Sequence, residues 1–333
     1  MVCKVAINGF GRIGRCILRA AVESRRDDVR IVAINDLNSI ETMAHLLRYD
    51  SVHGRFPGEV KIIGDTIDVG LGPIQVTSIR DAQDLPWGDV DVAMECTGFF
   101  VTQEKASLHL SNGSQRVLVS APCKGVKKTI VYGVNHQSLN KEDKVVSNAS
   151  CTTNCLVPVV HVLDKMFGIE KGYMTTVHSY TGDQHVLDAG HSDLYRSRAA
   201  AISMVPTSTG AAKAVELVLP NLKGKLDGSS IRVPTPNVSM VDLKCVTSRD
   251  VNIDEINATM KYFAEGDLKN ILGYVTLPLV SVDFNHTSYS SIFAADQTKV
   301  VSQNLLRVLV WYDNEWGFSN RMLDTASAMA NLS

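Results

Sequence analysis

No apolar stretch of this chain approaches the roughly 20 residues that a membrane-spanning helix needs, so no span is expected. Net charge is nearly absent too: 33 Lys and Arg face 35 Asp and Glu, a formal balance of −2. That excludes the polyelectrolyte attraction by which basic proteins hold DNA, RNA or anionic lipid, and no primary nucleic-acid or membrane partner is expected. A paired cysteine framework is also missing. Seven cysteines, an odd number, are scattered at 3, 16, 96, 123, 151, 155 and 245, which argues for a reducing compartment, the cytoplasm. The first residues run straight into a strand-like segment, so no cleavable signal is expected. What remains is a globular composition, 45% hydrophobic and 20% charged over 333 residues, long for one core and suited to two domains.

The most informative segment is Ser147-Asn148-Ala149-Ser150-Cys151-Thr152-Thr153-Asn154-Cys155, followed by the apolar Leu156-Val157-Pro158-Val159-Val160. A structural cysteine usually has apolar neighbours on both sides, whereas Cys151 sits in a Ser/Thr/Asn collar. Asn148 or Ser150 is suited to cap a helix whose first turn carries Cys151. Helix N–H groups and the positive dipole end would there favour thiolate over thiol. Cys151 therefore reads as a nucleophile. Cys155, four residues on, could share a metal or a disulfide with it. No second Cys/His pair has metal-ligand spacing, however, and a bridge would consume the nucleophile. Cys155 is expected to be a small packed side chain, and no metal site is expected.

The N-terminal region carries a second pattern. Val5-Ala6-Ile7 leads into Asn8-Gly9-Phe10-Gly11-Arg12-Ile13-Gly14, and Ile13, Ile17, Leu18 and Ala21 continue at helical spacing. This is G-x-G-x-x-G between a strand and a helix, the context in which it binds a dinucleotide. Gly9 permits the turn, Gly11 lets the backbone approach a pyrophosphate, Gly14 allows close helix–strand packing, and the helix start offers N–H donors. Asp36 lies 22 positions after Gly14, at the end of a second apolar run. An acidic residue there accepts from the adenosine ribose and repels a 2′-phosphate, which favours NAD over NADP. The other reading is a structural turn, with Asp36 capping the next helix. Runs at 90–94 and 117–120 look like further parallel strands, ending in polar loops where ligands bind in open α/β sheets.

The nine residues around Cys151 resemble the active-site segment of the phosphorylating glyceraldehyde-3-phosphate dehydrogenases, and the likeness extends along almost the whole chain. Val310-Trp311-Tyr312-Asp313-Asn314-Glu315-Trp316-Gly317 is a second match. The resemblance implies an α/β fold: a Rossmann doubly wound parallel sheet at 1–150, completed by a C-terminal helix at 315–333, and an α+β catalytic domain with a mostly antiparallel sheet at 151–314. It implies that His178, in Thr175-Thr176-Val177-His178-Ser179-Tyr180-Thr181, is the thiol's partner and the base for hydride transfer. By itself, a lone histidine on a strand is more often structural. Cofactor contacts would come from residues 8–14 (Asn8, Gly9, Phe10, Gly11, Arg12, Ile13, Gly14), Asp36, Arg80, Thr97, Ser120 and Asn314. A surface arginine or a capping threonine would look no different at 80 and 97. Asn314 would bond the nicotinamide carboxamide, although its aromatic-rich segment also reads as core. Thr181 and Arg232 would bind the phosphate of the triose phosphate, and Ser150, Thr152, Thr209 and Gly210 inorganic phosphate, with Arg196 near both. An isolated arginine is otherwise a solvated charge.

The implied reaction is NAD-dependent oxidation of D-glyceraldehyde 3-phosphate to 1,3-bisphosphoglycerate through a cysteine thiohemiacetal and thioester, a step of glycolysis and gluconeogenesis, by a homotetramer. Three rivals stand beside it. An erythrose-4-phosphate dehydrogenase shares the cysteine segment, but Ser179-Tyr180-Thr181 and Thr207-Ser208-Thr209-Gly210 resemble the triose enzyme. A non-catalytic NAD-binding protein would have no use for both Cys151 and His178. A Cys–His esterase would leave the dinucleotide motif without purpose. Phe318 in place of a tyrosine, Gly182 in place of an asparagine, and Cys123 and Gly125 depart from the family's pattern.

Overall fold

The computed structural model describes residues 2–332 and divides into two compact units. One takes the chain up to Ser150 together with the residues from Ser319 onward; the other is 151–318. In the first unit the strand Cys3–Asn8 lies in mid-sheet, parallel to Val29–Asn35 on one side and Val90–Glu95 on the other. Strand order thus reverses at Cys3–Asn8, and the crevice beyond its C-terminal end is where open α/β sheets bind ligands. Ser114–Val119, Val145–Ser147 and Lys128–Thr129 extend the parallel sheet outward. Val5, Ala6 and Ile7 are fully buried, as are Val117, Leu118 and Val119, the unbroken apolar runs of strands covered on both faces. From Ser319 on, the helix Trp316–Ala330 belongs to this unit and buries Met322, Leu323, Ala326 and Met329.

The other edge of that sheet is antiparallel, through Lys61–Ile63, Thr66–Asp68 and Pro73–Thr77. The expected doubly wound parallel sheet is present, with this antiparallel edge added to it. The cause is local: Ile63 pairs with Thr66 across the two-residue loop Gly64-Asp65, and Gly64 takes the φ of +59° that such a hairpin favours.

The second unit holds an eight-stranded, mostly antiparallel sheet with Ile169–Ser179, Ser239–Thr247 and Leu305–Tyr312 at its centre. Leu226–Val233 runs parallel to Ile169–Ser179 and sets Arg232 opposite His178. The helix Cys151–Phe167 buries Leu156, Val157, Val159, Val160, Val162 and Leu163. Among the described residues, no helix is long and apolar enough to cross a membrane.

Candidate active site

The first unit carries a cleft of about 450 Å³ at the point where the strand order reverses. Asn8, Gly9, Gly11, Asp36, Arg80 and Thr97 line it. Gly9 has φ +94°, and a Cβ there would lie 2.7 Å from the Thr97 nitrogen. A Cβ on Gly14 would lie 2.2 Å from the Gly9 carbonyl oxygen, so the helix Arg12–Glu23 can approach only without one. A Cβ on Gly11, by contrast, would meet nothing within 4 Å. The chain is bare at that point toward the cleft and not toward protein, which fits the approach of a phosphate ester. Asp36 Oδ2 accepts the Phe10 N–H at 2.7 Å, and its other oxygen accepts from Asn38. Phe10 and Ile13 are not among the lining residues, Arg12 pairs with Asp50 at 2.7 Å, and the Ser120 N–H donates to the Glu95 carbonyl.

Beneath the cleft lies a buried network with no motif to announce it. Glu95 accepts from Asn8 Nδ2 at 2.7 Å and from the Thr97 N–H at 2.7 Å. Trp87 Nε1–H donates to His109 Nδ1 at 2.9 Å, which puts the ring proton on Nε2, 3.0 Å from Glu95 Oε2. This holds two lining residues, Asn8 and Thr97, on a fully satisfied carboxylate. Ile79, Phe99 and Phe100 also line the cleft without having been marked by sequence, as does Cys96 of the polar loop after Val90–Glu95.

In the second unit Cys151 is the first residue of its helix, and its Sγ lies 3.5 Å from His178 Nε2. His178 is the penultimate residue of the strand Ile169–Ser179, and its Nδ1–H donates to the Ser179 carbonyl at 2.7 Å. That tautomer leaves Nε2 as the acceptor facing sulfur. Arg232 sits beside the ring, with Nη1 at 3.1 Å from Nδ1 and 3.3 Å from the same carbonyl. Burial raises the Cys151 thiol above its ordinary value, against the lowering influence of Arg232 and of the N–H groups at the helix start. Burial, and then Arg232, pushes His178 down to about 3. The helix start therefore acts in the direction the sequence suggested, but burial outweighs it. A lone thiolate is disfavoured here, and so is a lone imidazolium. A proton passed from Sγ to Nε2 creates both charges together, where they attract each other, and leaves the net charge unchanged.

Tyr312, which ends the strand Leu305–Tyr312, is fully buried against this pair. Its hydroxyl bridges Thr152 Oγ1 at 2.8 Å and Thr176 Oγ1 at 3.0 Å, and its ring meets His178 edge-on. Thr152 thus has its hydroxyl engaged with protein. Arg196 is bound by Asp183 and, at 3.2 Å, by Asp193, and Arg198 pairs with Asp188. Of the arginines marked by sequence, Arg232 lies within hydrogen-bond distance of the imidazole, and the charge of Arg196 also acts on His178. Thr209 Oγ1 accepts from the Ala211 N–H at 3.1 Å, and Gly210 precedes the helix Ala211–Val218. Thr181 lies just past the strand of His178, its N–H held by Gln184 Oε1 at 3.0 Å. Ser150 directly precedes the helix of Cys151, and Asn314 lies two residues past Tyr312, 5% exposed. All seven cysteines are free, and Cys155 is fully buried.

A family model described as "Glyceraldehyde 3-phosphate dehydrogenase, NAD binding domain" matches residues 3–103, and one described as "Glyceraldehyde 3-phosphate dehydrogenase, C-terminal domain" matches residues 150–314. The chain is 65% identical over 332 residues to the glyceraldehyde-3-phosphate dehydrogenase of Cereibacter sphaeroides and 64% identical over 334 residues to that of Xanthobacter flavus, each match covering 100% of both chains. To the protein of that name from Geobacillus stearothermophilus it is 52% identical over 334 residues, covering 99% of each.

Proposed function

Because the chain belongs to the glyceraldehyde 3-phosphate dehydrogenase family, we propose that Cys151 and His178 perform the chemistry of that enzyme on the geometry described above. The protein is an NAD-dependent phosphorylating dehydrogenase acting on D-glyceraldehyde 3-phosphate and inorganic phosphate. NAD, when bound, supplies the hydride acceptor. The bare backbone at Gly11, the strand-order reversal and Asp36 in the cleft fit its adenosine and pyrophosphate, with Asn8, Gly9, Arg80 and Thr97 as flanking contacts.

The observation that carries the mechanism is the 3.5 Å approach of Cys151 Sγ to His178 Nε2, with Arg232 alongside. His178 takes the thiol proton as sulfur bonds to the aldehyde carbon, giving a thiohemiacetal. After returning that proton to the new alkoxide, the ring is again a neutral acceptor, ready to take the hydroxyl proton as the carbon is oxidised to a thioester. Phosphate then attacks the carbonyl, the C–S bond breaks, and Cys151 is released with 1,3-bisphosphoglycerate. The N–H of Cys151 at its helix start suits the developing oxyanion. Arg232, part-buried beside the pair, would hold the phosphate of the triose phosphate. Thr181 would share the triose phosphate with it, and Ser150, Thr152, Thr209 and Gly210 would take inorganic phosphate. Arg196, paired with Asp183 and Asp193 and acting by its charge on His178, would lie near both phosphates. Ser120, Phe10, Arg12 and Ile13 serve the cofactor through backbone position.

Seven free thiols suit the cytoplasm, and apolar side chains exposed along 186–204 suit a homotetramer. The test is NADH formation from glyceraldehyde 3-phosphate and NAD with and without phosphate, with erythrose 4-phosphate in parallel. Sustained, phosphate-dependent turnover, strongest with the triose and abolished in Cys151→Ser, is expected. Faster, phosphate-indifferent oxidation of the tetrose would overturn the substrate assignment.

A further inference from the structure

Asn314 is 5% exposed, yet its polar ends are treated unequally. Oδ1 accepts two hydroxyl hydrogen bonds, from Ser179 Oγ at 2.9 Å and from Ser239 Oγ at 3.0 Å. Ser239 Oγ in turn accepts the Ser179 N–H at 3.0 Å, so the lone pairs and proton of that hydroxyl have defined uses. Nδ2 has no protein acceptor among the described residues. Turning the amide over would set N–H groups against both hydroxyls. Each hydroxyl proton would then have only the other oxygen, 3.4 Å away. The arrangement therefore has one sense, with the NH2 group aimed at something other than protein.

The backbone shows what holds it. Val238, buried and β-branched, stands at φ +67°, a left-handed conformation that crowds its Cβ against the following carbonyl. Such a residue persists only where its surroundings over-determine it, and it delivers Ser239 to the start of the strand Ser239–Thr247. Ser179 also carries the carbonyl that fixes the His178 tautomer.

We propose that Ser179 and Ser239 are positioning residues that lock the Asn314 amide with its N–H pair presented to the carboxamide oxygen of nicotinamide, and so fix which ring face receives the hydride. This rests on the reading of Asn314 as a nicotinamide contact. Ser179 thereby joins the base and the cofactor's orientation through one residue, its carbonyl serving His178 and its hydroxyl Asn314.

The test uses the intact protein carrying Ser179→Ala, Ser239→Ala, both, Asn314→Ala, and all three. Two readouts are taken. Calorimetric titration with NAD is run beside ADP-ribose, which lacks nicotinamide. Deuterium transfer from C1-deuterated glyceraldehyde 3-phosphate is read by NMR of the NADH formed. The double serine variant should bind NAD about thirtyfold more weakly, as two neutral hydrogen bonds of ~1 kcal/mol each imply, and ADP-ribose as before. It should also place deuterium on both ring faces, where the parent places it on one. In the Asn314→Ala background the serine changes should have no further effect. Serine effects that persist without Asn314, or extend equally to ADP-ribose, would overturn the lock and leave a structural role. An Asn314→Ala variant with unchanged NAD affinity and face selectivity would instead sink the assignment of Asn314, while phosphate-dependent turnover still upheld the enzyme.

Discussion

At the scale of single residues, the chemistry rests on two groups that burial pushes toward neutrality, the Cys151 thiol upward and the His178 ring down to about 3. Each carries charge more readily with the other as its counterion. His178→Asn should therefore strand Cys151 as a buried thiol without a proton acceptor. Its alkylation by iodoacetamide at neutral pH should fall by at least ~10-fold, one unit of pKa being a tenfold change in thiolate. Because burial already raises the Cys151 thiol in the parent, the variant's reactivity should return only at alkaline pH. A rate–pH profile matching the parent's would show that Arg232 and the helix start suffice without the imidazole. The sequence placed Cys151 under suspicion through its polar collar, a local feature. Nothing local distinguished His178 from the other histidines, since it reaches sulfur from the end of a strand 27 positions away. Tyr312 and Ser179 stood within family-like segments but with no role assigned, and Ser239 gave no warning at all. A hydroxyl that braces a site through one hydrogen bond has no spacing rule, and only the register of Ile169–Ser179, Ser239–Thr247 and Leu305–Tyr312 brings these three together.

At the scale of elements, the turn between Cys3–Asn8 and Arg12–Glu23 separates two demands that the sequence pattern merges. Gly14 is glycine for the protein's sake and Gly11 for a ligand's. Gly14→Ala should collide with the Gly9 carbonyl and destabilise the fold by about 1–3 kcal/mol, the cost of an overpacked contact. Gly11→Ala meets open space and should leave unfolding by urea unchanged while weakening NAD binding at least ~10-fold, since the new methyl occupies the pyrophosphate's approach. Loss of stability in Gly11→Ala, or intact NAD affinity, would remove the reason for calling that turn a cradle. Strand, glycines, helix and the acidic residue were legible because each has a fixed offset and period. The antiparallel edge at 61–77 was not, its signal being one glycine in a short polar stretch. Nor were Phe99 and Phe100, whose place on the cleft depends on where the loop after Val90–Glu95 turns.

At the scale of the whole molecule, a chain with almost no net charge has little electrostatic repulsion to keep its copies apart, and the second unit exposes apolar side chains that a lone subunit would have to hydrate. Leu194 is 80% exposed, Ile202 83% and Met204 76%, all on a segment whose own ion pairs, Arg196 with Asp183 and Asp193, hold it folded. Val282, 73% exposed, lies on a second stretch of the same unit with Val280 and Leu277. Scattered apolar residues are ordinary on a surface, but a braced loop presenting several in succession is suited to being covered. Sedimentation of the parent protein should therefore give the mass of four chains. Leu194→Glu combined with Ile202→Glu should shift that to smaller species, because a charge buried in an apolar contact without a partner costs several kcal/mol. The ion pairs that brace the loop lie within one chain, so they should survive the separation, and near-ultraviolet circular dichroism of the variant should still report a folded subunit. A parent protein that sediments as one chain at micromolar concentration would mean that these side chains face water in the working enzyme, and the homotetramer would have to be abandoned.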